Sequence, residues 1–271
     1  MAKAIKPKKN EKAQSAKQFI ERLKKLQSAE KLKKIQGYFK SGEGQYGAGD
    51  KFMGVKMGSL FKLAIEFNGM PIAEIEKLME SPIHEIRVGA ISIMDKESRG
   101  KKITEERRKE FYELYMRRHD RVNNWDLVDL GCLHMTGSYL YDKPHTVLYK
   151  LARSKNIWER RTAILTTCYF LRKGDTADTF KIAEMLVNDK EDLIHKATGW
   201  MLRFAGDKDK KNCWLFWTNM LPPCPGHYCA TQSKSLRRNK KSIIWALRKA
   251  TDENYKAYRR PSGNFYRTLI S

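Results

Sequence analysis

What most constrains the fold of this chain is a periodicity it lacks. Over its 271 residues nothing alternates apolar and polar with period two for a useful length, so strands have no sequence basis. From about Ser15 the apolar residues recur at helical spacing instead: Phe19, Leu23 and Leu26, then Leu32, Ile35 and Phe39. After Lys51 the spacing predicts helices over roughly 56–68, 71–80, 84–98, 104–118, 124–133, 144–154, 157–172, 175–188, 191–205 and 208–220. A last helix is predicted over about 233–250. Pro71, Pro82, Gly100, Pro144, Gly174, Gly206 and Pro222 fall at breaks between them, where helix breakers belong. "SGEGQYGAGD" (41–50) has neither Walker nor Rossmann spacing and no strand before it, so it reads as a flexible connection. The chain is expected to be all-α.

The helical segments carry a weak internal repeat. When "IRVGAISI" (86–93), "NWDLVDLG" (124–131), "RRTAILTT" (160–167) and "KATGWMLR" (196–203) are aligned, Val88, Trp125, Arg161 and Ala197 share a column at spacings of 37, 36 and 36. Helix pairs of about this length cannot bury an apolar face alone and stack into a curved array. The period, without tetratricopeptide signature residues, predicts a superhelical HEAT-like solenoid of antiparallel helix pairs with a concave basic surface. One such domain is expected over 15–250, between a disordered basic tail at 1–14 and a basic C-terminal tail at 251–271.

Charge points to the partner. The formal net charge is +23. Residues 1–34 hold twelve Lys and Arg against three acids, and residues 233–271 hold eleven against two, so the ends carry +18 of it. A chain this basic is expected to bind a polyanion, most often nucleic acid. No apolar run follows the basic N-terminus and no stretch of about 18 apolar residues occurs, so neither a secretory signal nor a membrane span is expected. Five cysteines, an odd number, fit free thiols in a reducing compartment, and a soluble cytoplasmic protein is expected, nucleoid-associated if bacterial. "CPGHYC", with Cys224, His227 and Cys229, is read as a Pro/Gly turn with ordinary thiols, because even with Cys213 it lacks a usual zinc spacing. No metal and no cofactor are expected.

Four residues depart from the repeat columns. Trp125 and Arg161 stand where other repeats place Val or Ala. Asp129 stands opposite Ser92, Leu165 and Met201, and Trp200 opposite Ile or Val. Trp125 and Asp129 are an i,i+4 pair and share a helix face. Arg87, Arg160 and Lys196 form a further column, a row of cations that suits a phosphate backbone. Each residue also has a plain structural reading. A tryptophan at helical spacing is ordinarily core, a single acid ordinarily a cap, and Arg161 can simply pair with Asp129 and lock two repeats together. Asp126 has no anomaly and reads as a first-turn acid near the helix dipole.

"NNWDLVD", "SKNIWERRTAIL" (154–165) and "IHKATGWMLRFAG" (194–206) resemble the signature segments of the AlkD-type DNA alkylation repair enzymes, which are HEAT-like-repeat DNA glycosylases. "FMGVKMGSLFKLA" (52–64) and "SPIHEIRVGAISIMDK" (81–96) are similar to the family's earlier segments, and the resemblance covers roughly 30–220. It implies that Asp129 is the catalytic carboxylate, that Trp125 and Trp200 flank the lesion and its sugar, and that Arg161 holds the nearby DNA backbone. Tyr38 in "QGYF" matches a further DNA contact. The implied substrate is duplex DNA with alkylated bases, met by a monomer.

The chemistry is consistent with that implication. A purine alkylated at N3 or N7 is cationic and leaves without protonation. Positive charge then grows on the sugar, where a carboxylate stabilises it and orients or deprotonates the attacking water. Indole faces attract the cation. No lysine is placed as a Schiff-base nucleophile, so a monofunctional glycosylase without lyase activity is expected. A non-catalytic HEAT-like DNA-binding protein and a HEAT-like protein or RNA adaptor are the rival readings.

Overall fold

A computed structural model of the chain describes residues 14–39, 42, 47 and 49–220. Apart from Gln14, which donates to the Glu66 carbonyl at 2.8 Å, the expected tails, the helix over 233–250 and the Cys224–Cys229 turn lie outside the described residues. Among the described residues all regular structure is helical, with two isolated bridges, Gln27 to Val55 and Lys51 to Ile83. The chain divides into two compact units, one ending at Arg121 and the other beginning at Val122.

The first unit comprises α1 (Ala16–Lys24), α2 (Ala29–Tyr38), α3 (Met57–Glu66), α4 (Ile72–Met79), α5 (His84–Ser98) and α6 (Glu105–Arg117), then a single 3₁₀ turn, His119–Arg121. Ser15 and Gln18 start α1 with a capping box, each side chain accepting from the other's backbone N–H. Phe19 and Leu23, one turn apart, are fully buried, and Phe19 meets Phe67 edge-on at 5.1 Å. Leu26 falls beyond the end of α1 and is exposed, so the apolar spacing overran the helix there. α5 is buried from His84 through Asp95 and packs on α3 and α4.

Burial on all sides obliges α5 to satisfy its polar groups internally. Glu85, fully buried, accepts from the backbone N–H groups of Met53, Gly54 and Val55 at 2.8–3.3 Å. Arg87 donates to Asp50 Oδ1 at 2.6 Å and to the Ser81 carbonyl at 2.8 Å. Gly49, at φ +87, turns the chain into Asp50 from the left-handed region. The end of the Gly-rich segment is therefore a fixed ligand of α5, where a flexible connection was expected. Glu85→Ala strands up to three buried donors and is expected to lower stability by about 3 kcal/mol, read from denaturant unfolding.

The second unit comprises α7 (Trp125–Gly131), a π-helical stretch Cys132–Gly137, α8 (Ser138–Leu140), α9 (Thr146–Ala152), α10 (Ile157–Arg172), α11 (Ala177–Leu186), α12 (Asp192–Lys208) and α13 (Lys210–Met220). α10 packs on α7, α9, α11 and α12, and α12 packs on α10, α11 and α13. Each helix pair covers the next, which is the helical-repeat stacking expected. His145 and Tyr149 on and beside α9 both reach Asp178 on α11, His145 Nδ1 at 2.6 Å, and tie one pair to the next.

Two boundaries differ from the sequence expectation. The segment expected to end near 133 continues as a π-helix through Gly137, because the wide turn is held by Thr136 Oγ1 donating to the Gly131 carbonyl at 2.8 Å. Gly137 abuts α10 closely, and a Cβ there would lie 2.6 Å from Tyr169 Cβ. The repeat period is also uneven. The N-caps of α5, α7, α10 and α12 are Ile83, Asn124, Asn156 and Glu191, spaced 41, 32 and 35 residues. The fifth residue after each N-cap is Val88, Asp129, Arg161 and Lys196. The columns read from sequence were thus one turn out of step at α7 and one residue at α12. A one-turn slip keeps every side chain on its face, so apolar matching does not detect it.

Candidate active site

Asn124 begins the site. It is fully buried, its backbone is extended, and its side chain accepts from the Trp125 N–H at 2.9 Å. α7 then winds for seven residues, all buried. Trp125 and Asp129 share its face one turn apart, and Asp126 lies between them, fully buried.

α10 supplies the cation. Asn156 caps it through the Trp158 N–H, and Arg161 follows in its second turn. Arg161 donates to Asp129 Oδ1 from Nε at 2.9 Å and lies at 2.8 Å from it through Nη2. Its Nη1 donates to the Leu193 carbonyl at 2.7 Å, in the first turn of α12. One guanidinium therefore joins α7, α10 and α12. Both partners are enclosed, Asp129 at 5% exposure and Arg161 at 4%. Asp129 Oδ2 is also buried and accepts no hydrogen bond among the described residues.

The electrostatics follow from this enclosure. Burial pushes the Asp129 carboxyl up to about 6, against the charge and hydrogen bond of Arg161, and the neighbouring Asp126 adds to the rise. Burial, with the Asp129 charge beside it, pushes the Cys132 thiol up to about 12, so that thiol stays protonated at neutral pH.

The other expected site residues fall as follows. Trp200 is half-buried on α12, its ring centroid 5.9 Å from that of Phe204. Arg160 is held in the fold: Asp189 takes Nε at 2.6 Å, and the Ser154 and Lys155 carbonyls take Nη1 at 2.9 Å. Arg87, in the first unit, is held in the same way by Asp50 and the Ser81 carbonyl. In both, the arginine reaches six residues back to a serine whose hydroxyl accepts from the backbone two residues on. "SPIHEIR" and "SKNIWER" are thus one structural device used twice. Lys196, expected in the same row, falls one residue later relative to its N-cap and is exposed, at 60% of its side chain, beside Asp192 at 2.6 Å. Tyr38 closes α2, and its side chain lies outside the described residues. Sequence reasoning missed the burial of Asp126 and the Leu193 carbonyl. The D-x-x-D spacing carried a signal for the first, and a backbone acceptor has none.

Among the described residues no group of three His, Cys, Asp or Glu side chains is placed to hold a metal, and no helix is long and apolar enough to cross a membrane. Residues 19–219 match the protein family described as DNA alkylation repair enzyme. Among solved structures the chain is similar to a predicted DNA alkylation repair enzyme from Enterococcus faecalis, with 19% identity and a TM-score of 0.56 over 85% of this chain and 98% of that one. Identity that low shows a shared fold. No curated protein matches the chain in sequence. With the family match spanning most of its length, this protein belongs to the DNA alkylation repair enzyme family.

Proposed function

We propose that the protein is a monofunctional DNA glycosylase that hydrolyses the N-glycosidic bond of cationic N3- and N7-alkylated purines in duplex DNA, acting as a cytoplasmic monomer without a cofactor. One observation carries this reading. A buried carboxylate on α7 has one oxygen held by Arg161 and the other without a hydrogen bond among the described residues, in a chain of net charge +23. An acid costs affinity in a protein that binds a polyanion, and a reaction that builds positive charge is a reason to keep it.

In the proposed reaction the C1′–N bond breaks with its electron pair leaving on the neutral alkylpurine. Asp129 faces the cationic sugar and holds the water whose oxygen bonds to C1′; the water's proton passes to the carboxylate. Arg161 fixes the carboxylate through Oδ1 so that Oδ2 is the reacting atom. Trp125 and Trp200 flank the sugar and lesion, attracting the cation by about 0.5–2 kcal/mol each. Oδ2 is enclosed in the free protein, so a sugar reaches it only after the side chains that cover it move. Lys196, which is exposed, is proposed to meet phosphate, and Arg87 and Arg160, held by Asp50 and Asp189, are proposed to act by fixing their repeats.

A non-catalytic DNA-binding role is the second reading, favoured by that same enclosure of Asp129. Chromatography of bases released from methylated duplex DNA separates the two. Free N7-methylguanine or N3-methyladenine is expected, and none released by the wild-type protein at saturating concentration overturns the glycosylase.

A further inference from the structure

We propose that Thr136 is a positioning residue of the site, which holds the π turn after α7 open and so keeps Asp129 in register with Arg161. The inference rests on the glycosylase reading and adds a residue to it.

α7 and its π-helical continuation run alongside α10 in the same direction, and three contacts fix their register. Arg161 donates to Asp129. The Cys132 thiol donates to the Thr162 carbonyl at 3.8 Å. Gly137 fits a slot against α10 where a Cβ would lie 2.9 Å from the Thr166 carbonyl and 2.6 Å from Tyr169 Cβ. The chain is thus fastened to the helix that carries Arg161 on both sides of the π turn.

Between those anchors the turn holds one residue beyond the α-helical count. A π turn pairs each carbonyl with the N–H five residues on, an α turn with the fourth. Rewinding Cys132–Gly137 as α-helix would displace Asp129 relative to Gly137 by one residue, about 1.5 Å along the axis and about 100° around it. With Gly137 held in its slot, that displacement takes Asp129 away from Arg161.

Thr136 is what favours the wide turn. It is fully buried and stands five residues after Gly131, and its Oγ1 donates to the Gly131 carbonyl at 2.8 Å. A threonine inside an α-helix bonds back to the carbonyl three or four residues earlier. The bond to the fifth belongs to the wide turn, and a buried hydroxyl has no water to replace it.

Asp129 reports its own register through its charge partner. Arg161, from α10, favours the ionised carboxylate, while burial and Asp126, on the same helix, oppose it; the neighbouring Cys132 stays a neutral thiol. Loss of register takes away the cation and leaves the burial, so the carboxyl rises further.

The test is single-turnover release of N7-methylguanine from methylated duplex DNA between pH 5 and 8, with duplex affinity and Tm measured on the same variants. Thr136→Val keeps the volume and removes the donor. It is expected to slow release about 10²-fold at unchanged duplex affinity, the scale for a reacting group misplaced by about 1 Å. The midpoint of its pH profile should lie above the wild-type value of about 6, a shift that a mere loss of stability does not produce. Thr136→Ser keeps the hydroxyl and is expected to release base at close to the wild-type rate. Release by Thr136→Val at the wild-type rate, or slower release with the wild-type midpoint, overturns the role of Thr136 alone, as does an equal loss in Thr136→Ser. No release by the wild-type protein overturns the glycosylase reading together with it. Should Thr136→Val fail to fold, Thr136→Cys, whose thiol is a weak donor, decides by the same rate and midpoint.

Discussion

Asp129→Asn is expected to cut release of alkylated purine by about 10²–10³-fold, the cost of removing one preorganised group that stabilises transition-state charge. The substitution keeps size and shape and removes the charge proposed to meet the sugar cation. Affinity for unmodified duplex should hold or improve, because a negative charge leaves a protein that binds a polyanion. Loss of rate with retained binding separates this outcome from misfolding. Base release equal to wild type would sink the assignment of Asp129.

The pH dependence of both activity and stability follows from the same carboxyl. In the proposed reaction Asp129 works ionised, and burial pushes its carboxyl up to about 6, so base release should rise with pH through about 6 and level above it. For stability the sign is reversed. The folded value is raised above the ordinary 3.8, so the fold holds the proton more tightly than the unfolded chain does. The contribution of Asp129 is therefore most favourable below about 4 and is lost as pH rises to about 6. In Asp129→Asn this decline in Tm between pH 4 and 6 should disappear.

Arg161→Ala is expected to cost about 3–5 kcal/mol of stability, since it leaves the buried Asp129 without its cation. In a chain of this size that is a Tm lower by about 10 °C at neutral pH. The Leu193 carbonyl loses its donor as well, so the contact between α10 and α12 weakens together with that between α10 and α7. The loss should shrink when Arg161→Ala is combined with Asp129→Asn, because the stranded charge is then absent. Thermal unfolding of the two single variants and the double gives the coupling. Strictly additive shifts would show that the pair contributes nothing as a pair.

The helices of this chain were largely legible in its sequence. α5 spans His84–Ser98 and α10 Ile157–Arg172, the bounds that the apolar spacing predicts. The π-helical continuation of α7 was not legible, because it depends on a threonine bonding back to Gly131 and on Gly137 meeting Tyr169 of another helix. The repeat columns found the right segments and the wrong register, and the departure that singled out Asp129 dissolves once the N-caps are aligned. Asp129 is marked instead by its burial and its pairing with Arg161. Arg87 and Arg160 show the same limit. Their column is real, yet each guanidinium is held by an acid that the alignment had no means to supply, Asp50 in one unit and Asp189 in the other.

By itself, then, the sequence determined that the chain is all-α, that it is strongly basic, and that its segments match one family, since periodicity, charge and local motif are properties of neighbouring residues. The tertiary structure alone decided which charges face water and which face each other. Arg161 pairs with an acid 32 residues away, and Asp126 is enclosed where a first-turn acid is ordinarily solvated. Those outcomes depend on how α7, α10 and α12 pack, because desolvation and charge pairing are set by what surrounds a side chain after folding, not by its neighbours in the chain.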